Sequence, residues 1–290
     1  MHMTKMMNVW LLFVVGVNLV NVEDGKSVSK RADTVLWHVD HYNNFDTLYH
    51  FKPLEVGFYN HGSLSSFADP TDSDRRVIRI FYMKGSYSKT KGYRGAQFYT
   101  TPTMTPQTSA KFSYEVYFAD GFDFVKGGML PGLAGGELGA CSGGTNSDNC
   151  FSSRFRWREN GDGDVYAYIP KPSSTLCGHK DVTCSSTHNT ASFADGRFRF
   201  KSGQWMKVTQ HVGLNDVGKD NGFLEIYLDN KLVYTRHDIT WRNKDDVKIT
   251  SIFFSTYFGG SSSAYAAAED TYTYFRDFVL TTGDSSHIVG

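Results

Sequence analysis

One short segment combines arginine with the two-residue period of a β-strand. In the range 152–158, Phe155 and Trp157 have one parity, and the other parity belongs to Ser152, Arg154, Arg156 and Arg158. Successive side chains of a strand point to opposite faces, so the segment predicts one apolar face and one cationic face. A row of guanidinium groups can bind carboxylates and stabilise negative charge that forms during a reaction.

The next predicted strand adds two phenols to the same face. After a turn at residues 159–163, Tyr166 and Tyr168 alternate with apolar residues. Because the apolar faces of neighbouring strands must coincide, Arg154 and Arg156 are expected beside these tyrosines. A phenol, with a pKa near 10, becomes a base only where cations stabilise the phenolate. Two interpretations remain open: a proton-transfer site, or an ordinary polar sheet face with Arg and Tyr paired across strands.

A lysine in a glycine-rich segment favours the first interpretation. The range 122–136 contains Lys126 and five glycines. It is interpreted as a loop, in which glycines let the backbone approach a ligand closely.

The four cysteines predict two disulfides. Four cysteines allow three connectivities, and the two close pairs favour Cys141–Cys150 and Cys177–Cys184. The alternative is a zinc site of Cys177, His179, Cys184 and His188, but its spacing fits no standard finger, and a secreted chain favours oxidation.

Three weaker patterns have ordinary explanations. His38 and His41 have the HxxH spacing without a third ligand, which indicates a surface feature more than a metal site. Asp162 and Asp164 alternate with glycine like a calcium loop, but the other ligands are missing, so a turn is favoured. His211 has the parity of Lys207 and Thr209, and therefore either lines a groove or faces solvent. No metal or cofactor is expected.

The N-terminus reads as a secretory signal. Lys5 precedes an apolar stretch from Val9 to Val20, which is too short to span a bilayer. We therefore predict a signal peptide at residues 1–22, an N-terminal segment at 23–34 and one domain at 35–290. The protein is expected to be secreted and extracellular, without a membrane segment. Equal numbers of positive and negative side chains, 30 of each, give no reason to expect nucleic acid as a partner.

Short strands account for most of the chain. Aromatic residues make up 15 % of the sequence, glycine is frequent with 28 residues, and no segment has convincing 3.6-residue periodicity. About a dozen alternating segments separated by turn residues predict an all-β fold, an antiparallel β-sandwich of the jelly-roll type. Asp229-Asn230 is predicted to be the two-residue turn of a hairpin.

Several motifs resemble the family 14 polysaccharide lyases, which include secreted alginate lyases of marine molluscs such as abalone and sea hare. They are Val125-Lys-Gly-Gly-Met-Leu-Pro-Gly-Leu133, Ser152-Ser-Arg-Phe-Arg-Trp-Arg158, Val165-Tyr-Ala-Tyr168, Trp205, Val212-Gly-Leu-Asn215 and Gly222-Phe-Leu-Glu-Ile-Tyr-Leu-Asp229. The resemblance implies a jelly roll that cleaves alginate by β-elimination, with a preference for mannuronate-rich regions. The family's functional residues fall on Lys126, Ser152, Arg154, Tyr166 and Tyr168. Met129 stands where many relatives have a second lysine.

The residue types fit that chemistry. Elimination across C4–C5 of a uronate needs a cation at the C5 carboxylate, a base for the C5 proton and an acid for O4. We therefore expect Lys126, Arg154, Tyr166 and Tyr168 to be catalytic, and Ser152 and Arg156 to bind substrate. The expected enzyme is an endolytic, monomeric lyase of mannuronate-rich alginate.

Two other function classes were weighed. A glycoside hydrolase needs paired carboxylates across the scissile bond, and neither that pattern nor a Gly-x-Ser-x-Gly motif is present. A non-catalytic lectin that binds acidic polysaccharides on the same fold is the main alternative.

Overall fold

The computed structural model describes residues 33–40, 42, 48–101, 105–145, 148–185 and 187–283. Fifteen strands lie in this part of the chain: β1 (Val35–Val39), β2 (Leu64–Asp69), β3 (Asp72–Tyr82), β4 (Ala96–Thr100), β5 (Ser109–Phe118), β6 (Gly127–Gly136), β7 (Cys150–Arg158), β8 (Asp162–Tyr168), β9 (Val182–Ser185), β10 (Thr190–Arg199), β11 (Trp205–Gly213), β12 (Gly222–Leu228), β13 (Lys231–Ile239), β14 (Ile249–Phe258) and β15 (Thr271–Thr282). One short helix, α1 (Ser174–Cys177), precedes β9.

The strands form two antiparallel sheets. The eight-stranded sheet has the order β13-β12-β11-β5-β15-β3-β2, and β1 pairs with β15. The seven-stranded sheet has the order β4-β14-β6-β7-β8-β10-β9. The all-β sandwich of the jelly-roll type is therefore confirmed.

The core lies between the inner faces of the two sheets and is mostly aromatic. Phe112, Tyr114 and Phe118 of β5 meet Phe155 and Trp157 of β7 in one buried cluster. Ring pairs such as Tyr114 and Phe155, with centroids 6.2 Å apart in an edge-on arrangement, join the sheets. The parity predicted for β7 is thus correct: its aromatic residues face the core, so its arginines face away from it.

The hairpin between β12 and β13 has the predicted two-residue turn. Leu228 pairs with Lys231, and both Asp229 and Asn230 have positive φ, 48° and 63°. Asn and Asp tolerate this conformation, which matches the right-handed twist of the flanking strands.

The glycine-rich segment after Lys126 is a strand, and its interpretation as a loop is wrong. Strand β6 pairs with β14 on one side and β7 on the other, and a register shift occurs between Met129 and Gly132. A Cβ at Gly132 would lie 1.9 Å from the Ser153 carbonyl oxygen. Close packing against β7 therefore requires glycine here, and a strand of glycines shows no hydrophobic alternation for sequence reasoning to detect. Lys126 itself precedes the strand.

Both predicted disulfides are confirmed. Cys141–Cys150 joins the β6–β7 connection to the start of β7, with Cα atoms 5.9 Å apart, and Cys177–Cys184 joins α1 to β9, with Cα atoms 5.6 Å apart. Cys177 and Cys184 are therefore not zinc ligands. Among the described residues, no group of three or more His, Cys, Asp or Glu side chains could hold a metal ion.

The predicted signal peptide and nearly all of the segment 23–34 lie outside the described residues, as does His41 of the HxxH pair. His38 lies on β1 opposite Val279. Within the described ranges, no helix is both long and apolar enough to cross a membrane.

Candidate active site

A cleft of about 410 Å³ lies on the outer face of the seven-stranded sheet. Strands β6, β7, β8 and β14 form its floor. Its rims come from five connections between strands: the β3–β4, β5–β6, β6–β7, β9–β10 and β14–β15 connections. The floor therefore belongs to the rigid sheet, whereas the rims belong to loops.

The structure brings most of the predicted site residues together. Arg154 lies directly opposite Tyr166, and Ser152 opposite Tyr168, in the antiparallel register of β7 and β8. Five of the six predicted residues line the cleft: Lys126, Arg154, Arg156, Tyr166 and Tyr168.

Ser152 has a different position from the other five. It is 1 % exposed, and its hydroxyl donates a hydrogen bond of 2.7 Å to the Cys141 carbonyl. Its hydroxyl therefore ties β7 to the disulfide-closed loop that forms one rim of the cleft.

Arg154 is buried in the cleft floor, with 2 % of its surface exposed. Its guanidinium carbon lies 4.5 Å from the centroid of the Phe253 ring, and Nη1 donates to the Ser255 hydroxyl at 3.2 Å. The Nε–H group has no hydrogen-bond partner in the described structure. A buried cation with unused donors is costly, so this guanidinium is arranged to receive an anion.

Arg156, in contrast, has hydrogen-bond partners for its Nε and for one terminal nitrogen. Its Nε donates to Asp164 at 2.9 Å, and one terminal nitrogen donates to the Ser192 hydroxyl at 2.8 Å. Although burial opposes it, the Asp164 carboxylate raises the pKa of Arg156 above its ordinary value. The guanidinium also lies 4.6 Å from the centroid of the Tyr166 ring.

The acidic residues after the β7–β8 turn pair with arginines. Asp164 is fully buried and pairs with Arg156 and with Arg158, the latter at 3.3 Å. Asp162 accepts a hydrogen bond of 2.7 Å from Arg199. Asn160 adopts a positive φ of 58° in the turn, in agreement with the turn predicted from the sequence.

Tyr168 is held by the loop that Cys141–Cys150 closes. The Gly144 N–H donates to the phenol oxygen at 2.7 Å, and the Tyr166 ring packs edge-on with centroids 5.5 Å apart. Burial is the main cause that raises the pKa of Tyr168 to about 12, and the charge of Tyr166 and a hydrogen bond to Tyr166 act in the same direction. The hydrogen bond from Gly144 and the charge of Arg154 lower this pKa and offset part of the rise. Tyr168 therefore rests as a neutral phenol, the form that can donate a proton.

Other cleft residues were not predicted from the sequence. They include Lys89, Tyr257, Tyr265 and His188, which the sequence offered only as a zinc ligand. Tyr257 follows the parity of Phe253 and Ser255 in β14, while Ile252 and Phe254 face the core. Alternation could have identified Tyr257, but no local signal identifies rim residues contributed by distant loops.

The charge of the cleft has one sign. Five cations line it: Lys89, Lys126, Arg154, Arg156 and Arg158. No Asp or Glu lines this cleft in the part of the chain that the structure describes. The arrangement favours an anionic ligand and lacks the carboxylate pair on which glycoside hydrolysis depends.

His211 neither lines the cleft nor faces solvent, so both sequence interpretations are wrong. It lies on β11 in the other sheet and is 1 % exposed. One ring nitrogen lies 2.9 Å from Glu225 and the other 2.9 Å from the Ser109 hydroxyl. A Cβ at Gly283 would lie 2.2 Å from His211 Nε2, which shows how tightly the chain after β15 covers this cluster.

Comparisons with known proteins identify the family. The model of the family described as polysaccharide lyase 14 matches residues 70–278. The crystal structure of a PL-14 alginate lyase from Aplysia kurodai is similar, with 38 % sequence identity and a TM-score of 0.79. The match covers 86 % of this chain and all of that chain.

More distant structures share the fold. The alginate lyase vAL-1 from Chlorella virus has 23 % identity and a TM-score of 0.63, over 77 % of this chain and 94 % of that one. An endo-β-1,4-glucuronan lyase from the fungus Trichoderma reesei has 10 % identity and a TM-score of 0.60. The match covers 86 % of this chain and 96 % of that one. No curated protein sequence matched significantly. The family match over most of the strands, together with the Aplysia match over the whole of that enzyme, shows that this chain belongs to polysaccharide lyase family 14.

Proposed function

We propose that the protein is a secreted, monomeric alginate lyase that cleaves mannuronate-rich regions endolytically by β-elimination. The observation that carries this proposal is the buried Arg154 beside two tyrosines, in a cleft that cations line and carboxylates do not. The similar Aplysia kurodai protein, described as an alginate lyase, supports the choice of substrate.

The first requirement of β-elimination is to lower the charge of the C5 carboxylate. Arg154 lines the floor of the cleft with a buried guanidinium, and the exposed ammonium of Lys126 lies at the same cleft. A carboxylate bound by both would withdraw electron density from C5, and the cations would stabilise the enolate-like species.

The second requirement is an acid for the departing oxygen. Tyr168 suits this role because its raised pKa keeps the phenol protonated. The Gly144 N–H occupies one lone pair of the phenol oxygen, and the hydroxyl proton, which is directed towards Tyr166 at rest, passes to O4 in the reaction.

The third requirement is a base for the C5 proton, and Tyr166 is the proposed base. It is more exposed to the cleft than Tyr168, and its ring lies under the Arg156 guanidinium. Tyr166, as the phenolate, takes the C5 proton and becomes a neutral phenol, which leaves an enolate-like species on the substrate. The electron pair then forms the C4–C5 double bond, and the C4–O4 bond breaks as Tyr168 protonates O4. Both tyrosines lie on one face, as required in mannuronate, where the C5 proton and O4 lie on the same side.

The test follows ultraviolet absorbance when polymannuronate is added. A lyase forms an unsaturated uronate that absorbs, a hydrolase forms reducing ends without absorbance, and a lectin forms neither. We expect absorbance from the wild type and from the control Tyr93→Phe, a tyrosine that is 46 % exposed outside the cleft. Tyr166→Phe and Tyr168→Phe should each lose about a hundredfold or more in turnover.

Deuterium exchange separates the two tyrosine roles. In D₂O, Tyr168→Phe should still exchange the C5 proton of uncleaved polymer, because the base is intact, whereas Tyr166→Phe should not. Exchange with the opposite pattern would reverse the assignment, and full turnover in both variants would exclude tyrosine catalysis.

The two disulfides support an oxidising, extracellular location. N-terminal sequencing of the protein from culture medium should find a mature chain that begins after about residue 22. Recovery of the uncleaved chain inside cells would contradict secretion.

A further inference from the structure

The cleft changes its charge at one end. Two hollows of about 370 Å³ each adjoin the cleft, and both share Lys126 with it. One of them also shares Arg158 and Tyr265 with the cleft. These hollows continue the cleft past the β7–β8 turn.

Carboxylates line this continuation. They are Asp123, Glu159, Asp162 and Asp195. Asp162 is neutralised by Arg199 at 2.7 Å, and Asp123 accepts a backbone hydrogen bond from Val125 at 2.8 Å. Glu159 and Asp195 are exposed and pair with no cation among the described residues. The last cation before them, Arg158, is partly engaged by Asp164.

We propose that Glu159 and Asp195 end the substrate-binding cleft electrostatically and so determine how far a polyuronate can bind. This inference rests on the proposed function for the identity of the ligand. Each sugar of such a polymer carries a carboxylate, so each sugar within the cationic part gains attraction. A sugar placed past Lys126 and Arg158 would instead bring its carboxylate towards two uncompensated carboxylates.

The position of these residues explains how the boundary is built. Glu159 belongs to the tight turn after β7, and Asp195 lies in a bulge of β10 between Phe193 and Phe198. A bulge leaves residues outside the ladder and redirects their side chains. Both carboxylates therefore come from backbone irregularities at the same end of the sheet. A chain that passes this point leaves the protein surface, and the bound segment stays short.

Binding measurements test the boundary without turnover. In a Tyr168→Phe background, Kd is measured by calorimetry for saturated mannuronate oligosaccharides of increasing length, at low and high salt. The test variant adds Glu159→Gln and Asp195→Asn. The control adds Asp220→Asn, which removes an exposed carboxylate from the β11–β12 turn of the other sheet.

In the parent, we expect the gain in affinity per added sugar to stop once the cationic part is filled. In the test variant, the longest oligosaccharides should bind up to about tenfold more tightly at low salt, at about threefold for each exposed charge. The shortest should be unchanged, and high salt should abolish the difference. Equal affinities at every length, or an equal gain in the Asp220→Asn control, would overturn the proposal.

Failure of the proposed function is distinguishable from failure of this inference. Wild-type protein that forms no unsaturated ends would reject the lyase mechanism, whereas the binding series would still report whether Glu159 and Asp195 limit the bound length.

Discussion

Two buried polar clusters lie on opposite sheets and differ in how their hydrogen-bonding groups are used. In the first, His211 on β11 contacts Ser109 and Glu225, and the Tyr227 hydroxyl donates to the same carboxylate at 2.7 Å. In the second, Arg154 on β7 contacts Ser255 and leaves its Nε–H without a partner.

The comparison separates structural polar residues from ligand-binding ones. Both ring nitrogens of His211 have partners, and the chain after β15 covers it, so the cluster serves the fold. A Ser, His and Glu in contact resemble a nucleophilic triad, but all three residues are buried, with at most 6 % of each exposed. Arg154 is equally buried, yet its side chain lines a cleft. A buried cation that lines a cleft and lacks a carboxylate partner is a candidate for binding an anionic ligand.

The largest expected effect is on catalysis at Arg154. Arg154→Met keeps the contact with Phe253 and removes the charge, so kcat/KM on polymannuronate should fall a hundredfold to a thousandfold. Near-ultraviolet circular dichroism should show an intact fold. An active variant would remove Arg154 from the mechanism, and an unfolded one would mean that Arg154 serves the fold as His211 does.

The matching change in the other cluster should act on stability alone. His211→Leu removes the imidazole between Ser109 and Glu225, which should lower the free energy of unfolding by roughly 2–4 kcal/mol. Urea unfolding measures this loss, and turnover per folded molecule should stay at the wild-type value. A variant with normal stability and lost turnover would refute the assignment of the His211 cluster to the fold and of the Arg154 cluster to ligand binding.

A smaller effect concerns alkaline pH. The pKa of Tyr168 is about 12 in the folded protein and about 10 in the unfolded chain. Because the pKa of Tyr168 is higher in the folded protein, the phenol stabilises the fold. This stabilisation is complete below pH 10 and is lost as the pH rises through 12. The loss is at most about 2–3 kcal/mol. Unfolding between pH 9 and 12 should show a shallower decline for Tyr168→Phe than for wild type; identical slopes would contradict the burial of this phenol.

The smallest effect is expected at Arg156. Its donors already bind Asp164 and Ser192, so Arg156→Lys should lower kcat/KM less than tenfold, mainly through KM. A loss as large as that of Arg154→Met would show that unused donors do not distinguish the two arginines.

Sequence alternation predicted much of this architecture. It identified the faces of β7 and β8, because Phe155 and Trp157 alternate with arginines and both strands share one core. It could not identify β6, in which glycines replace the alternating side chains because β7 packs too closely for a Cβ.

Long-range contacts account for the rest of the site. Parity placed Arg154 on the outer face, but its burial depends on β14, which supplies Phe253 and Ser255 from a hundred residues further along the chain. His211 shows the converse. Its parity predicted a side chain that lines a groove or faces solvent, but the chain around Gly283 covers it and makes it a buried residue. Alternation gives the face of a residue, whereas tertiary contacts determine what covers that face.

The loop closed by Cys141–Cys150 connects a covalent bond to a single hydroxyl group. Gly144 lies within this loop and donates to Tyr168, while Ser152 ties the Cys141 carbonyl to β7. The sheet that carries Tyr168 does not depend on this disulfide, because β7 and β8 are held by their own ladder. A reducing medium would therefore leave the sandwich folded but free the loop whose Gly144 N–H binds the Tyr168 oxygen. The activity of the enzyme would then depend on the redox state of the medium.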